Sequence, residues 1–304
     1  MKVIRAEILG FCAGVRRAVL TAQKALDERG SSQVYTLGPL IHNPVALKKL
    51  AERNLKVLSE SEIPSIKEND IVLIRAHGVP PEIEEKLSER GAKVLNATCP
   101  LVTKSQKTAA EYAHNGYVIF FAGDKNHGEV VGIEGYARKA AKNAGLDLNF
   151  LLVKNENELE ETIKNLSHKN ILNTDSKVAL LSQTTFSIKT FDEMQSALEK
   201  HFPEAKIINS ICPATHERQD SLVNLCSKVD GVIVIGGKNS ANTNRLYKTA
   251  ADLCKKAVLI ETPDEIPEDF LNLDTIGITA GASTPDDTID AVEEKLRGVN
   301  NSRD

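Results

Sequence analysis

Three of the five cysteines in this chain occupy the same kind of local setting. Cys12, Cys99 and Cys212 each stand where an apolar, strand-like run gives way to a helix-like one, in GFCAGVRRAV, NATCPLVTKS and NSICPATHERQ. Zinc knuckles and ferredoxin motifs keep their cysteines only a few residues apart, so these wide spacings match neither pattern. If the three thiolates meet at one point, they suit a cubane iron–sulfur cluster with one iron that lacks a protein ligand. Such an iron can polarise a substrate oxygen, and the cluster can deliver electrons one at a time.

The alternative for these cysteines is burial as small residues at strand ends, which is the ordinary fate of a cysteine. Three in the same register favour the cluster. An odd total of five cysteines in a long chain does not resemble a disulfide framework. Cys226 and Cys254 lie on helix-like segments outside the pattern, and for these two we predict plain burial.

A polar residue follows each of the three cysteines at a regular distance, after a helix-like segment and a strand-like run. The distance is 30, 28 and 30 residues for the pairs Cys12 and His42, Cys99 and His127, and Cys212 and Asn242. A second apolar run in each repeat ends in another polar tip; these tips are His77, Thr184 and Ser283. The same order of elements thus recurs three times, which predicts three similar structural units.

The apolar runs indicate the fold class. VYTL, IVLI, VIFF, VALL and GVIVI are continuous rather than alternating, as expected for parallel strands buried on both faces, and helical stretches separate them. We predict an α/β protein of three βα units with mainly parallel sheets, bounded at 1–97, 98–208 and 209–304. Ligands bind at the carboxyl ends of such strands, so a pseudo-threefold trefoil would bring the cysteines and polar tips to one central cavity. The surplus length of the second unit falls largely in 138–176, which we predict to be a surface elaboration.

The composition narrows the class of protein. The chain has 304 residues and a formal net charge of −4, and its charges are interspersed without the basic run that nucleic-acid binding needs. No apolar run approaches the roughly 18 residues of a membrane-spanning helix, and the N-terminal segment lacks the features of a signal peptide. We therefore expect a soluble, cytoplasmic protein with neither a nucleic-acid nor a membrane partner.

The polar tips suit an anion. They are neutral or weakly basic donors on tight turns that lead into helices, where backbone N–H groups and the helix dipole also favour negative charge. We predict that they bind a diphosphate; the set is His42, His77, His127, Ser240, Asn242 and Ser283. For any single member, helix capping or an ordinary hydrogen bond remains the alternative.

Glu129 in NHGEVVG is the carboxylate close to these tips in the sequence. Shielded from water, it could hold a proton and donate it to a leaving hydroxyl, and Thr184 could relay that proton or orient the hydroxyl. The alternatives are a first-turn helix glutamate favoured by the dipole and a turn-capping threonine.

Together these segments resemble the 4-hydroxy-3-methylbut-2-enyl diphosphate reductase family of the non-mevalonate isoprenoid pathway. The resemblance runs from GFCAGV to TAGASTPD, nearly the whole chain. It passes through HN at 42–43, AHG at 76–78, ATCPLVTK at 97–104, SQTT at 182–185 and KNSANTNRL at 238–246. As a set these motifs are highly specific, whereas any one alone is weak.

The resemblance implies a trefoil around one [4Fe–4S] cluster per chain, held by Cys12, Cys99 and Cys212. It implies that the substrate's hydroxyl binds the open iron while the six polar tips hold its diphosphate. Two electrons from ferredoxin or flavodoxin, and protons routed through Glu129, then remove the hydroxyl as water and leave isopentenyl or dimethylallyl diphosphate. Glu129, Thr184 and His127 are the residues expected at the chemistry.

Some positions depart from the family pattern. Asp124 stands where histidine is common, Gly128 where proline is common, Pro213 where tyrosine often follows the third cysteine, and Ala241 where a serine often shares in diphosphate binding. Two other functions stay open: a cluster-dependent hydro-lyase, which needs no electron donor, and a non-catalytic iron–sulfur or zinc-bound sensor that clamps an anion.

Overall fold

The computed structural model describes residues 1–169 and 171–301. The strands are β1 Lys2–Arg5, β2 Val34–Leu37, β3 Leu55–Leu58, β4 Ile71–Ile74, β5 Lys93–Asn96, β6 Val118–Ala122, β7 Phe150–Val153, β8 Val178–Ser182, β9 Lys206–Ile208, β10 Gly231–Ile235, β11 Ala257–Ile260 and β12 Thr275–Ala280. The α-helices are α1 Ala13–Glu28, α2 Pro44–Glu52, α3 Pro81–Glu89, α4 Pro100–His114, α5 Gly128–Asn143, α6 Glu156–His168, α7 Ile188–His201, α8 Pro213–Cys226, α9 Ala241–Leu253 and α10 Asp286–Asn301. Short 3₁₀ turns cover Glu60–Ser65, Pro263–Glu265 and Glu268–Phe270. Among the described residues, no helix combines the length and the apolar character needed to cross a bilayer.

Within the described residues, the strands form three four-stranded sheets that share one strand order. The orders are β3-β2-β4-β5, β7-β6-β8-β9 and β11-β10-β12-β1. The pairings β4–β5, β6–β7, β6–β8, β8–β9, β10–β11, β10–β12 and β1–β12 are parallel. These sheets confirm the predicted α/β class with three similar βα units.

The N-terminal strand lies in the sheet of the last three strands. β1 pairs with β12 in parallel, with Lys2 opposite Thr275 and Arg5 opposite Ile278. The predicted first unit of residues 1–97 therefore contains a strand whose sheet neighbour comes from the predicted third unit. The sequence order of the strands carries no signal for this, because a parallel edge strand can be supplied from either end of the chain. The predicted unit boundaries stay a prediction.

Two compact units make up the chain. The first comprises Met1–Val57 and the chain from Pro213 onward, and the second comprises Leu58–Cys212.

In the second unit, helices cover both faces of the sheet β7-β6-β8-β9. Phe120 packs with Leu159 of α6 and Phe191 of α7. Phe121, the next residue along β6, packs on the opposite face with Ile133 of α5. Because successive side chains of a strand point to opposite faces, a strand covered on both sides must be apolar at every position. This is the physical reason for the continuous run VIFF.

The first unit repeats this construction around β10 and β12. Ile233 packs with Val292 of α10, and the adjacent Val232 packs on the other face with Leu222 of α8 and Leu246 of α9. All of these side chains are fully buried. The carboxyl ends of the strands are thereby held rigidly for the loops that follow them.

The segment 138–176 corrects one prediction. It contains β7, which pairs with β6, and α6, whose Leu159 and Ile163 are buried in the core. The segment is therefore an integral strand and covering helix, and its interpretation as a surface elaboration was wrong. Many of its charged residues lie on the solvent side of the amphipathic helix α6. They outnumber the few apolar residues on the core side, so the composition of the segment did not indicate a buried helix.

Candidate functional site

The three cysteines hold equivalent positions relative to their sheets. In each case the peptide N–H of the cysteine donates to the carbonyl two residues beyond the end of the adjacent parallel strand. The pairs are Cys12 and Ala282 at 3.0 Å, Cys99 and Ala76 at 2.9 Å, and Cys212 and Thr184 at 2.8 Å. The neighbouring strands end at Ala280, Ile74 and Ser182. This hydrogen bond ties each cysteine to the loop that carries a predicted polar tip.

Each cysteine also directly precedes a helix. Cys12 is the N-cap of α1, and its sulfur accepts a hydrogen bond from the peptide N–H of Val15 at 3.4 Å. Cys99 is the N-cap of α4, and Cys212 comes directly before α8. The helix N-terminus favours negative charge, so the setting suits a thiolate. None of the three cysteines is in a disulfide, and all three are partly exposed.

Glu129 and Thr184 form a buried pair in the second unit. Glu129 lies in the first turn of α5 and is 1% exposed. Its Oε1 accepts from the peptide N–H of Thr184 at 2.6 Å, and its Oε2 accepts from the Thr184 hydroxyl at 2.8 Å. Because the carbonyl of Thr184 accepts from the N–H of Cys212, a single residue links the carboxylate to a cysteine.

His127 and His77 lie side by side at the entrance to α5. Their ring centroids are 5.3 Å apart in an edge-to-face arrangement. His127 is the N-cap of α5, and its Nδ1 accepts from the peptide N–H of Glu129 at 3.3 Å. A neutral ring that accepts at Nδ1 carries its proton on Nε2, which is then a donor. The capping alternative therefore holds for His127.

Arg75 and Gly128 explain one departure from the family pattern. A Cβ atom at position 128 would lie 2.7 Å from Nη2 and 2.9 Å from Cζ of Arg75, so the guanidinium rests directly on the Gly128 backbone. Burial lowers the pKa of Arg75 below its ordinary value. A proline at position 128 would displace this guanidinium. Arg75 was not identified from the sequence.

In the first unit, the loop that carries His42 is held by contacts with the His42 carbonyl and by the helix cap at Asn43. The carbonyl of His42 accepts from the hydroxyl of Ser283 at 3.1 Å. Gly237 approaches the same carbonyl so closely that a Cβ there would lie 2.4 Å from the oxygen. Asn43 caps α2 by accepting from the N–H of Ala46 at 2.9 Å. Two predicted diphosphate residues, His42 and Ser283, are thus in direct contact.

Ser240 and Asn242 occupy the first turn of α9 in the same unit. Ser240 is the N-cap, and its hydroxyl oxygen accepts from the N–H of Thr243 at 3.3 Å, which fits the capping alternative. Asn242 is 4% exposed, and within the described part of the chain its Nδ2 has no hydrogen-bond partner. A buried amide donor without a partner is costly, so an acceptor from a ligand would stabilise it.

Sequence reasoning missed Gln183, although it lies within the quoted SQTT motif. Gln183 is fully buried. Its Oε1 accepts from the N–H of Asp124 at 3.0 Å, and its Nε2 donates to the hydroxyl of Thr185 at 2.7 Å. It therefore fixes the start of the loop that ends at His127.

Comparisons with known proteins identify a family that matches nearly the whole chain. The family model described as LytB protein matches residues 3–297. A protein of Treponema denticola named 4-hydroxy-3-methylbut-2-enyl diphosphate reductase is 42% identical over 300 residues, covering 97% of this chain and 99% of its own. A protein of the same name from Aquifex aeolicus is 40% identical, covering 98% of this chain and 96% of its own.

Two solved structures are similar along the whole chain. The structure of the E-1-hydroxy-2-methyl-but-2-enyl-4-diphosphate reductase from Plasmodium falciparum aligns with a TM-score of 0.84 at 28% identity, covering 100% of this chain and 88% of that one. A structure of (E)-4-hydroxy-3-methyl-but-2-enyl diphosphate reductase, described as the terminal enzyme of the non-mevalonate pathway, aligns with a TM-score of 0.69 at 38% identity, covering 98% of this chain and 100% of that one.

Proposed function

The chain belongs to the LytB protein family and is an oxidoreductase, and from that premise we propose that it reduces 4-hydroxy-3-methylbut-2-enyl diphosphate. The products are isopentenyl and dimethylallyl diphosphate, formed with two electrons and two protons: one proton leaves with the hydroxyl as water, and the other is added to the carbon skeleton. The observation that carries the proposal is the buried Glu129 carboxylate. It accepts hydrogen bonds from the peptide N–H and the hydroxyl of Thr184, and the carbonyl of Thr184 in turn accepts from the N–H of Cys212. The relatives named above support the choice of substrate.

Cys12, Cys99 and Cys212 would hold one [4Fe–4S] cluster per chain. The donor set fits, because each residue is a partly exposed cysteine outside any disulfide, in the same position after a strand and before a helix. Thiolates are the ligands that iron–sulfur clusters take, and three of them leave one iron without a protein ligand. When bound, the cluster supplies single electrons and an iron position open to a substrate oxygen.

Glu129 is the proposed proton donor. Its burial keeps bulk water away from the carboxyl group, so a proton held there passes to the substrate rather than to solvent. The Thr184 hydroxyl contacts Oε2, and because a hydroxyl can both donate and accept, it can pass a proton on or orient the departing group. His127, whose Nδ1 accepts from the peptide N–H of Glu129, would be the third residue at the chemistry.

The diphosphate would be held by neutral donors at the ends of strands and starts of helices. Asn242 supports this most directly, since its buried Nδ2 has no partner among the described residues. Ser240 and His127 stand at helix N-termini, where the dipole favours an anion. The full proposed set is His42, His77, His127, Ser240, Asn242 and Ser283.

The electrons would come from ferredoxin or flavodoxin. None of the five cysteines, all of which lie in the described residues, is in a disulfide, which is typical of a reducing compartment and supports a cytoplasmic location alongside such a donor.

One anaerobic assay tests the proposal. Iron-reconstituted protein is mixed with reduced viologen and the hydroxylated diphosphate, and products are identified by mass spectrometry. We expect both isoprenoid diphosphates as products. The reconstituted wild-type protein should hold close to four irons per chain, and this iron should be lost when Cys12, Cys99 or Cys212 is replaced by serine. C226S is the matched control and should keep its iron. Turnover without a reductant would favour a hydro-lyase, and tight diphosphate binding without product would favour a sensor.

A further inference from the structure

Arg218 is a buried cation that joins two parts of the first unit. It lies in α8 and is 3% exposed. Its Nη1 donates to the carbonyl of Ala214 at 2.6 Å, and its Nη2 donates to the carbonyl of Gly10 at 2.6 Å. Ala214 is in the first turn of the same helix, whereas Gly10 comes two residues before Cys12. One guanidinium therefore ties the loop that carries a proposed cluster ligand to the start of α8.

The loop between β1 and α1 is held by its N–H groups along its length. Ala6, Gly10 and Cys12 donate to Ile278, Ala280 and Ala282 at 2.8, 3.4 and 3.0 Å, which continues the pairing of β1 along β12. The N–H of Ile8 donates to the hydroxyl of Ser221, also in α8, at 3.1 Å. Arg218 adds a bond to the carbonyl side of Gly10, so this loop is fixed from two directions.

The position of Gly10 is tightly restricted by its backbone conformation and its neighbours. Its φ of +77° lies in the left-handed region, and a Cβ there would lie 3.0 Å from Cδ1 of Ile289 and 3.1 Å from Oδ1 of Asp286. The loop thus packs tightly against α10 at the residue that Arg218 holds. A change in the Gly10 carbonyl direction would be passed to Cys12 through only one intervening residue, Phe11.

We propose that Arg218 is a positioning residue that fixes the direction of the Cys12 thiol for cluster ligation. The inference rests on the function proposed above, because it takes Cys12 to be a ligand. The planar guanidinium can donate to two carbonyls at a fixed separation, which the point charge of a lysine cannot reproduce. Residues that orient the ligands of a metal commonly change metal affinity or activity by about tenfold to a hundredfold when replaced.

The test compares iron release from reconstituted R218K and R218M proteins with wild type, using a ferrous chelator under anaerobic conditions. We expect R218K to release iron about tenfold faster than wild type, and R218M faster still. We also expect an altered electron paramagnetic resonance spectrum of the reduced cluster in R218K. If R218M does not fold, R218K carries the test.

Two control variants separate positioning from general loss of stability. R90M removes a comparable arginine-to-carbonyl bond, Arg90 Nη2 to Pro64 O at 2.7 Å, far along the chain in the second unit. L222A removes a fully buried side chain from the same helix α8 but removes no side-chain hydrogen bond to the loop. Both should keep the wild-type spectrum and release iron within about twofold of the wild-type rate.

A cluster-independent measurement completes the design. In iron-free protein, alkylation of Cys12 by iodoacetamide, mapped by mass spectrometry, should change at least threefold in R218K, and alkylation of Cys99 should not. Wild-type protein that takes up no iron would overturn the proposed function, and with it the purpose of Arg218. A stable wild-type cluster together with wild-type iron release in R218K, or equal release in L222A and R218K, would overturn the inference about Arg218 alone.

Discussion

Thr184 contacts both oxygens of the Glu129 carboxylate, through its peptide N–H at 2.6 Å and its hydroxyl at 2.8 Å. The peptide N–H can only donate, so Oε1 is committed to that bond. The Thr184 hydroxyl can either donate or accept a hydrogen bond, so Oε2 can carry a proton and donate it in a hydrogen bond to the hydroxyl oxygen. Under the proposed function, the two oxygens would have different tasks: Oε1 would hold the carboxylate in place and Oε2 would take part in proton transfer.

Replacement of Glu129 by glutamine should abolish turnover and leave the cluster in place. The amide has a similar shape but cannot hold a transferable proton, and loss of a general acid commonly costs about a hundredfold or more in rate. The measurement is kcat with reduced viologen, together with iron content and visible absorption. E134Q is the control, since Glu134 lies on the same helix and pairs with Arg138 at the surface. Wild-type turnover in E129Q would rule out Glu129 as the proton donor.

Thr184 should tolerate serine and not valine. Valine keeps the peptide N–H that binds Oε1 but removes the hydroxyl that binds Oε2, which leaves a buried carboxylate oxygen without that donor. We expect kcat to fall about tenfold or more in T184V and to recover most of the wild-type value in T184S. Steady-state kinetics in H₂O and D₂O would check this. Equal rates in the two variants would show that the hydroxyl has no part in the reaction.

The Cys226 thiol should react slowly with alkylating reagents at neutral pH. Burial, together with the contact with Cys254, raises the pKa of Cys226 to about 12. Since the thiolate is the reactive form, the alkylation rate of Cys226 in the folded protein should rise about tenfold for each pH unit between pH 8 and pH 10. Stopped alkylation followed by mass spectrometry measures this. A rate that levels off below pH 10 would contradict the raised pKa.

Gly128 and Arg75 should be coupled in stability. Alanine at position 128 would reduce the conformational entropy of the unfolded chain and so stabilise by about 0.4–1 kcal/mol, provided that nothing opposes it. In the wild-type background the Arg75 guanidinium lies at 2.7 Å from the new methyl and must move, which offsets this gain. We therefore expect G128A to be neutral or destabilising alone and stabilising in the R75A background. Urea unfolding of the four proteins measures the coupling; additive effects would show that the contact carries no free energy.

The sequence by itself determined the α/β class and the repetition of the cysteine setting. Runs such as VIFF in β6 are apolar at every position because Phe120 and Phe121 face opposite layers of helices. Pro100 and Pro213 mark helix starts directly after Cys99 and Cys212, since a proline at the first helical position costs no hydrogen bond. Such signals lie in neighbouring residues and can be read without knowing how the chain folds.

Only the tertiary structure decided which of these local features meet. Glu129 and Thr184 were both identified from the sequence, but their two hydrogen bonds join residues 55 positions apart. The bond from Arg218 to Gly10 spans 208 positions, and β1 finds its partner β12 at the other end of the chain. Contacts of this kind depend on strand order and helix packing, and so they leave no periodicity or spacing in the sequence from which they could be predicted.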